Sequence, residues 1–221
     1  MLGLFDSGEG GLNTVRYLIA SGLNEGLVHI IDRERAPYGI KTENELVGIV
    51  ENNVSRLTDL GARKVLIACV TASTVHGLLD EKYKQITIPI IEPVARMAEG
   101  LSKNRRIGVI ATERTVASHA FSEHIRGCEV FELAAQELVG MIDGGLSDNT
   151  ATDTDVERIR ELLSPLFTTE TDTLILGCTH FPTLKGVIRE ILGPYGVKNI
   201  IDTAKIGADT LIKLHGCQPL P

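Results

Sequence analysis

Val65-Leu66-Ile67-Ala68-Cys69-Val70-Thr71-Ala72-Ser73 and Leu174-Ile175-Leu176-Gly177-Cys178-Thr179-His180 share one construction. Each is a short, unbroken apolar run that stops at a cysteine and opens a polar segment. A run that is apolar at every position, and too short for a helix, reads as a strand buried on both faces. Such strands belong to parallel sheets covered by helices, whose ligands sit beyond the carboxyl ends of the strands. Both cysteines therefore stand where a ligand would be met.

Working outward, the chain alternates strand and helix. Residues 2–5 form a further apolar run, broken at Asp6-Ser7-Gly8-Glu9-Gly10-Gly11 and followed by a helix over 12–21. Strands are expected at 28–31, 64–68 and 86–91. Pro89 places the last of these at an edge or end position. Residues 43–60 carry Leu46, Ile49, Val50, Val54 and Leu57 at helical spacing, and a helix is also expected at 72–79. The pattern then restarts, with strands at 106–111, 129–133, 173–176 and 199–201. Helices are expected at 115–125, at 153–163 with Thr152 or Thr154 as cap, at 183–192 and at 204–214. A similar length of chain separates Asp6 from Thr112 and Cys69 from Cys178. The fold class is therefore α/β, with two similar parallel-sheet halves and the active site in the cleft between them. One domain is expected over 1–93 plus 205–221 and the other over 94–204, with hinges near Glu92-Pro93 and residues 202–205.

The chain has 221 residues, 43% hydrophobic and 23% charged, which is ordinary for a globular protein. A net charge of −7 without any Lys/Arg run argues against nonspecific nucleic-acid binding. No apolar stretch approaches the roughly 20 residues that span a bilayer, and Met1-Leu2-Gly3-Leu4-Phe5-Asp6 shows no signal-peptide pattern. The expected location is the cytoplasm, with no membrane partner. Cys69, Cys128, Cys178 and Cys217 are too far apart for a CxxC motif and read as free thiols. Cys128 reads as a structural residue and Cys217 as a tail residue of no clear role.

A cysteine just before a helix faces backbone N–H groups and the positive end of a dipole, which favours thiolate. Thr71 or Ser73 is a candidate cap for the first helix, and Thr179 for the second, with Pro182 suited to its first turn. The same N–H groups can bind a carboxylate. His180, two residues beyond Cys178, can exchange protons with that thiol. His29, His76, His119, His124 and His215 carry no such pattern. The turn after Asp6 is neither a phosphate loop nor GxGxxG. It is a tight strand-to-helix turn that places a carboxylate and a hydroxyl, Asp6 and Ser7, where a substrate ammonium can bind. Pro37-Tyr38-Gly39 is by itself a loop with a packed tyrosine.

Together these segments resemble the glutamate racemase family, within the aspartate/glutamate racemase superfamily. The likeness runs from Gly3 to about Leu214. It is carried by Leu4-Phe5-Asp6-Ser7-Gly8 with Gly10-Gly11, by Asp32 with Arg35-Ala36-Pro37-Tyr38-Gly39, by Ala68-Cys69 with Thr71-Ala72-Ser73, and by Gly177-Cys178-Thr179-His180-Phe181-Pro182. Ile91-Glu92-Pro93 and Ile107-Gly108-Val109-Ile110 add to it. The resemblance implies racemisation without cofactor or metal, pyridoxal phosphate included: one thiolate removes the α-proton and the opposite thiol protonates the other face. Cys69 and Cys178 are then the bases, Asp6 supporting the first and His180 the second. Ser7, Thr71 and Thr179 contact the amino and α-carboxylate groups of an amino-acid substrate. Tyr38 and Gly39, with Pro37 beside them and Thr115, hold its side-chain carboxylate. Cell-wall precursor supply is the usual purpose, and a homodimer is compatible with the resemblance.

The chain departs from the family pattern in the substrate loop, where Arg33 and Glu34 replace small residues, and at two further site positions. Val70 stands where the family's first cysteine is typically followed by Asn, and Asp143 where it usually has Glu. Three readings stay open: a racemase of glutamate or a related acidic amino acid, a superfamily enzyme acting on a different α-acidic substrate, and a catalytically weak binding or regulatory protein.

Overall fold

The apolar runs form two parallel sheets of like order. The computed structural model describes residues 1–23 and 26–214. Cys217, His215 and the tail of the expected first domain lie outside them. The first half contains β1 (Leu2–Asp6), α1 (Gly11–Ala20), β2 (Leu27–Ile31), α2 (Glu43–Asp59), β3 (Lys64–Ile67), α3 (Val70–Ser73), α4 (Glu81–Lys84), β4 (Thr87–Pro89) and α5 (Ile91–Leu101). The second contains β5 (Arg106–Ala111), α6 (Glu113–Ala117), α7 (Ala120–His124), β6 (Glu129–Ala134), α8 (Gln136–Asp143), α9 (Asp153–Leu163), β7 (Thr173–Gly177), α10 (Lys185–Leu192) and β8 (Asn199–Asp202), and α11 (Thr203–Leu214) follows. The strand orders are β2-β1-β3-β4 and β6-β5-β7-β8, so β3 and β7 hold the same place in their sheets. Pro89 lies on the edge strand β4, where no ladder needs its missing N–H.

Three apolar clusters hold the chain together. One belongs to the first half, where Leu46, Ile49, Val50, Val54 and Leu57 of α2 pack under Phe5, Val65 and Ile67. One belongs to the second half, around Leu174, Leu176, Ile188 and Phe181. The third is shared: Leu4 and Leu66 of the first sheet join Val109, Ile175 and Ile201 of the second, with Val94 and Leu211. The chain returns through α11 to the first half, where Gly207 lies against Leu66 and Ile90. Continuous apolar strands follow from this arrangement, since each sheet is covered on both faces.

Several expected elements came out differently. The helix expected at 72–79 is α3 followed by a 3₁₀ turn at His76–Leu78. Ser73 donates to the Ile67 carbonyl and Thr74 to the Thr71 carbonyl, a local competition that shortens helices. The helix expected at 115–125 is two short helices broken at His119, which has φ 53. Helix α8 was not expected at all. Neither expected hinge is a free link. Glu92 and Pro93 lie in the first turn of α5, where proline is tolerated. Asp202 ends β8 and accepts the Ala204 and Lys205 amides at 3.0 and 3.2 Å, capping α11. Thr152, not Thr154, caps α9, in a capping box with Asp155.

Candidate active site

Both cysteines reach one cleft from opposite sheets. Cys69 follows β3 and Cys178 follows β7, and they line a cavity of about 640 Å³ between the halves, within the roughly 300–1,000 Å³ of small-molecule sites. Ser7, Pro37, Tyr38, Gly39, Val70, Thr71, Asp143, Thr179 and His180 line it as well. Asp6 and Thr115 do not. Asp6 is buried behind Ser7, and Thr115 lies behind Thr112, which takes the lining position.

The glycine-rich turn after β1 exists for close approach to the other half. A Cβ on Gly10 would lie 2.8 Å from the Thr179 backbone carbon, and one on Gly8 would lie 3.2 Å from His180 Nε2. Asn13, just beyond the turn, donates from Nδ2 to the Thr179 carbonyl at 3.0 Å. The two halves are thus latched directly beside the second cysteine.

Around Cys69, the Ser7 hydroxyl lies 3.4 Å from Sγ. The Asp6 carboxyl accepts the Gly8 amide on Oδ1 at 3.0 Å, while its buried Oδ2 has no hydrogen-bond partner. Around Cys178, His180 Nδ1 lies 3.6 Å from Sγ, and His180 Nε2 lies 3.3 Å from Asp143 Oδ1. Each thiol therefore has its own polar relay. Across the cleft floor the hydroxyls of Thr71, Thr112 and Thr115 form a triad, at 2.9 Å (Thr71–Thr112), 2.9 Å (Thr112–Thr115) and 3.3 Å (Thr71–Thr115).

Burial works against the thiolate that the strand-end position favours at both cysteines. Burial, with the Asp6 charge adding to it, pushes the Cys69 thiol up to about 12, against the opposing pull of the Ser7 hydroxyl and the Ala72 and Ser7 amides. Burial also pushes Cys178 up despite the His180 amide, with Cys69, Asp6 and Asp143 contributing. Burial raises Asp6 too, opposed by the Gly8 amide, the His180 imidazole and the nearby Thr179 and Ser7 hydroxyls. Amides do face both sulfurs, but desolvation outweighs them. The expected caps are also not formed: Cys69 is itself the residue preceding α3, and His180 the one preceding the 3₁₀ turn that holds Pro182.

Tyr38 spends its hydroxyl on Asp32 and the neighbouring Asn53, and Ala36–Pro37 is a cis peptide. Sequence reasoning missed Gln136 and Asn13, which line the cleft together with Thr112, a residue the spacing places at a strand end without giving it a role. Thr112 and Gln136 each lie just past a strand end, the position that drew attention to Asp6 and the cysteines. Among the described residues no group of three or more His, Cys, Asp or Glu is placed to hold a metal ion, and no helix is long and apolar enough to cross a membrane. Cys69, Cys128 and Cys178 are free thiols.

This geometry has close relatives. The chain is 39% identical over 198 residues to the glutamate racemase of Desulforudis audaxviator (strain MP104C), covering 87% of this chain and 71% of that one. A crystal structure of a glutamate racemase isoform from Bacillus anthracis superposes with a TM-score of 0.86 at 29% identity, over 98% of this chain and 83% of that one. The Francisella tularensis glutamate racemase, crystallised with D-glutamate, gives 0.85 at 28% identity, over 100% of this chain and 83% of that one. The family model for Asp/Glu/hydantoin racemases matches residues 14–211. With paired strand-end cysteines in one cleft and these relatives, the chain belongs to the Asp/Glu/hydantoin racemase family and is an isomerase of the amino-acid racemase type.

Proposed function

We propose that the protein interconverts L- and D-glutamate without a cofactor, using Cys69 and Cys178 as the two bases. The observation that carries this reading is the placement of two buried thiols at equivalent strand ends of two like-ordered sheets, facing one cleft. In one direction the Cys178 thiolate takes the α-proton, the electron pair stays on the α-carbon, and the Cys69 thiol returns a proton to the other face. The reverse direction exchanges the roles. Ser7 and Asp6 serve the first thiol, and His180 with Asp143 the second.

The substrate's own ammonium group counters the burial of these acids. A cation beside Asp6 and the thiols favours their charged forms and offsets the desolvation that holds them protonated. Thr71 and Thr179 are assigned to the α-carboxylate and amino groups, and the main chain of Tyr38 and Gly39 to the side-chain carboxylate. The same reading includes supply of D-glutamate to cell-wall precursors, division of the chain into domains at about residues 93 and 205, and a homodimer. A second reading, a less polar α-acidic substrate, is favoured by the apolar wall of Val70, Val139 and Ile142.

Proton NMR in deuterium oxide tests both. Loss of the α-proton signal from L- and D-glutamate is the expected result, with interconversion of the enantiomers abolished separately by Cys69→Ala and Cys178→Ala. Removal of a general acid or base typically costs about 10²–10⁴-fold. Full racemisation by either variant rejects the two-base scheme. Exchange confined to another acid moves the assignment to the second reading.

A further inference from the structure

Gln136 opens α8 in the second half, and its amide packs against Gly39 in the first, oxygen end nearest. A Cβ on Gly39 would meet Gln136 Oε1 at 2.8 Å, so only glycine leaves room for this contact. Both residues line the cleft. Yet Gln136 Oε1 is buried and has no hydrogen-bond partner in the protein. A buried amide oxygen left unpaired is costly, and no protein partner of that oxygen holds the amide in this orientation when a ligand enters the cleft. The main chain beside it, Tyr38–Gly39, is the segment assigned above to the substrate's side-chain carboxylate.

We infer that Gln136 is a specificity-determining residue whose amide, reaching from the second half, completes the subsite for the substrate's distal carboxylate. The inference rests on the racemase reading. A half-turn of the amide exchanges Oε1 for Nε2, which places an N–H donor where the carboxylate arrives. Gripped by Gly39 from one half and Gln136 from the other, an acidic side chain would fix the α-carbon between the thiols. The contact lies at the far end of the side chain, so it acts equally on ground and transition states and is read in KM.

The test uses Gln136→Glu and Gln136→Leu in the full chain, with D- and L-glutamate as probes, reading racemisation by NMR and binding by calorimetry. Gln136→Glu is isosteric and sets a like charge against the carboxylate, and circular dichroism of both variants checks that they fold. The expected result is a rise in KM and in Kd for glutamate of about 10-fold or more for both variants, larger for Glu, with kcat changed far less. Unchanged KM and Kd in Gln136→Glu overturn the inference while leaving the racemase reading intact. So does a fall in kcat at constant KM. If the wild type binds glutamate without exchanging its α-proton, the racemase reading fails, and the Kd comparison alone still decides the role of Gln136. A wild type that neither exchanges nor binds glutamate overturns both.

Discussion

At the scale of the residue, three buried acids, Cys69 and Cys178 in the cleft and Asp6 just behind it, lie close to the His180 imidazole. Burial favours their neutral forms, and each charge that forms makes the next harder to form. The stability of the protein must then depend on pH above neutrality. In the unfolded chain a cysteine ionises near its ordinary value of 9.0, whereas folded Cys69 holds its proton to about 12. Its contribution is fully present below pH 9 and is lost as pH climbs to 12, at about 1.4 kcal/mol per pH unit. Cys178, also raised, acts with the same sign. Denaturant titrations across this window should show a shallower decline for Cys69→Ala than for the wild type. Equal slopes would show that this thiol is not held neutral by the fold. The cysteines were legible in the sequence because a strand-end position is a local pattern. Gln136 and Asn13 were not, because what makes them matter is a partner on the opposite half, Gly39 for one and Thr179 for the other.

At the scale of the element, glycines separate positions of need from positions of tolerance. Gly10 is pressed onto Thr179, whereas Gly48 sits exposed within α2 with nothing within 4 Å of an added Cβ. Gly10→Ala should push the turn, and Ser7 with it, off the second half. A displacement on that scale costs roughly 10²-fold in activity, and kcat/KM for glutamate checks it. Gly48→Ala should instead stabilise the protein by about 0.5–1 kcal/mol with activity unchanged, read from the denaturation midpoint. A damaging Gly48→Ala would mean that α2 is more constrained than its surroundings show. Long, strongly patterned elements such as α2 and α9 were readable because their apolar stripes and caps are local. Helix α8 was not, being eight residues with Gly140 inside it. The failed continuations of α3 and α6 had a different cause: side-chain bonds at Ser73 and Thr74 and the left-handed backbone at His119.

At the scale of the whole molecule, the two halves repeat one strand order yet share an apolar cluster. Tyr17 of α1 also donates to Asp202 of β8 at 2.8 Å, tying the ends of the chain across that boundary. The halves should unfold together. Val109→Ala, in the shared cluster, is expected to cost about 2 kcal/mol and to shift one cooperative transition. Two separated transitions by fluorescence and circular dichroism would show independent halves. In the proposed reaction the repeat has a kinetic consequence. Like groups meet the two faces of one planar carbon, but their supports differ: a carboxylate and a serine behind one thiol, an imidazole and a carboxylate behind the other. Enantiomers have equal free energies, so kcat/KM must be the same in both directions whatever the supports do. The lopsidedness of the cleft can surface only as a paired difference, with the form that binds more weakly turning over faster in the same proportion.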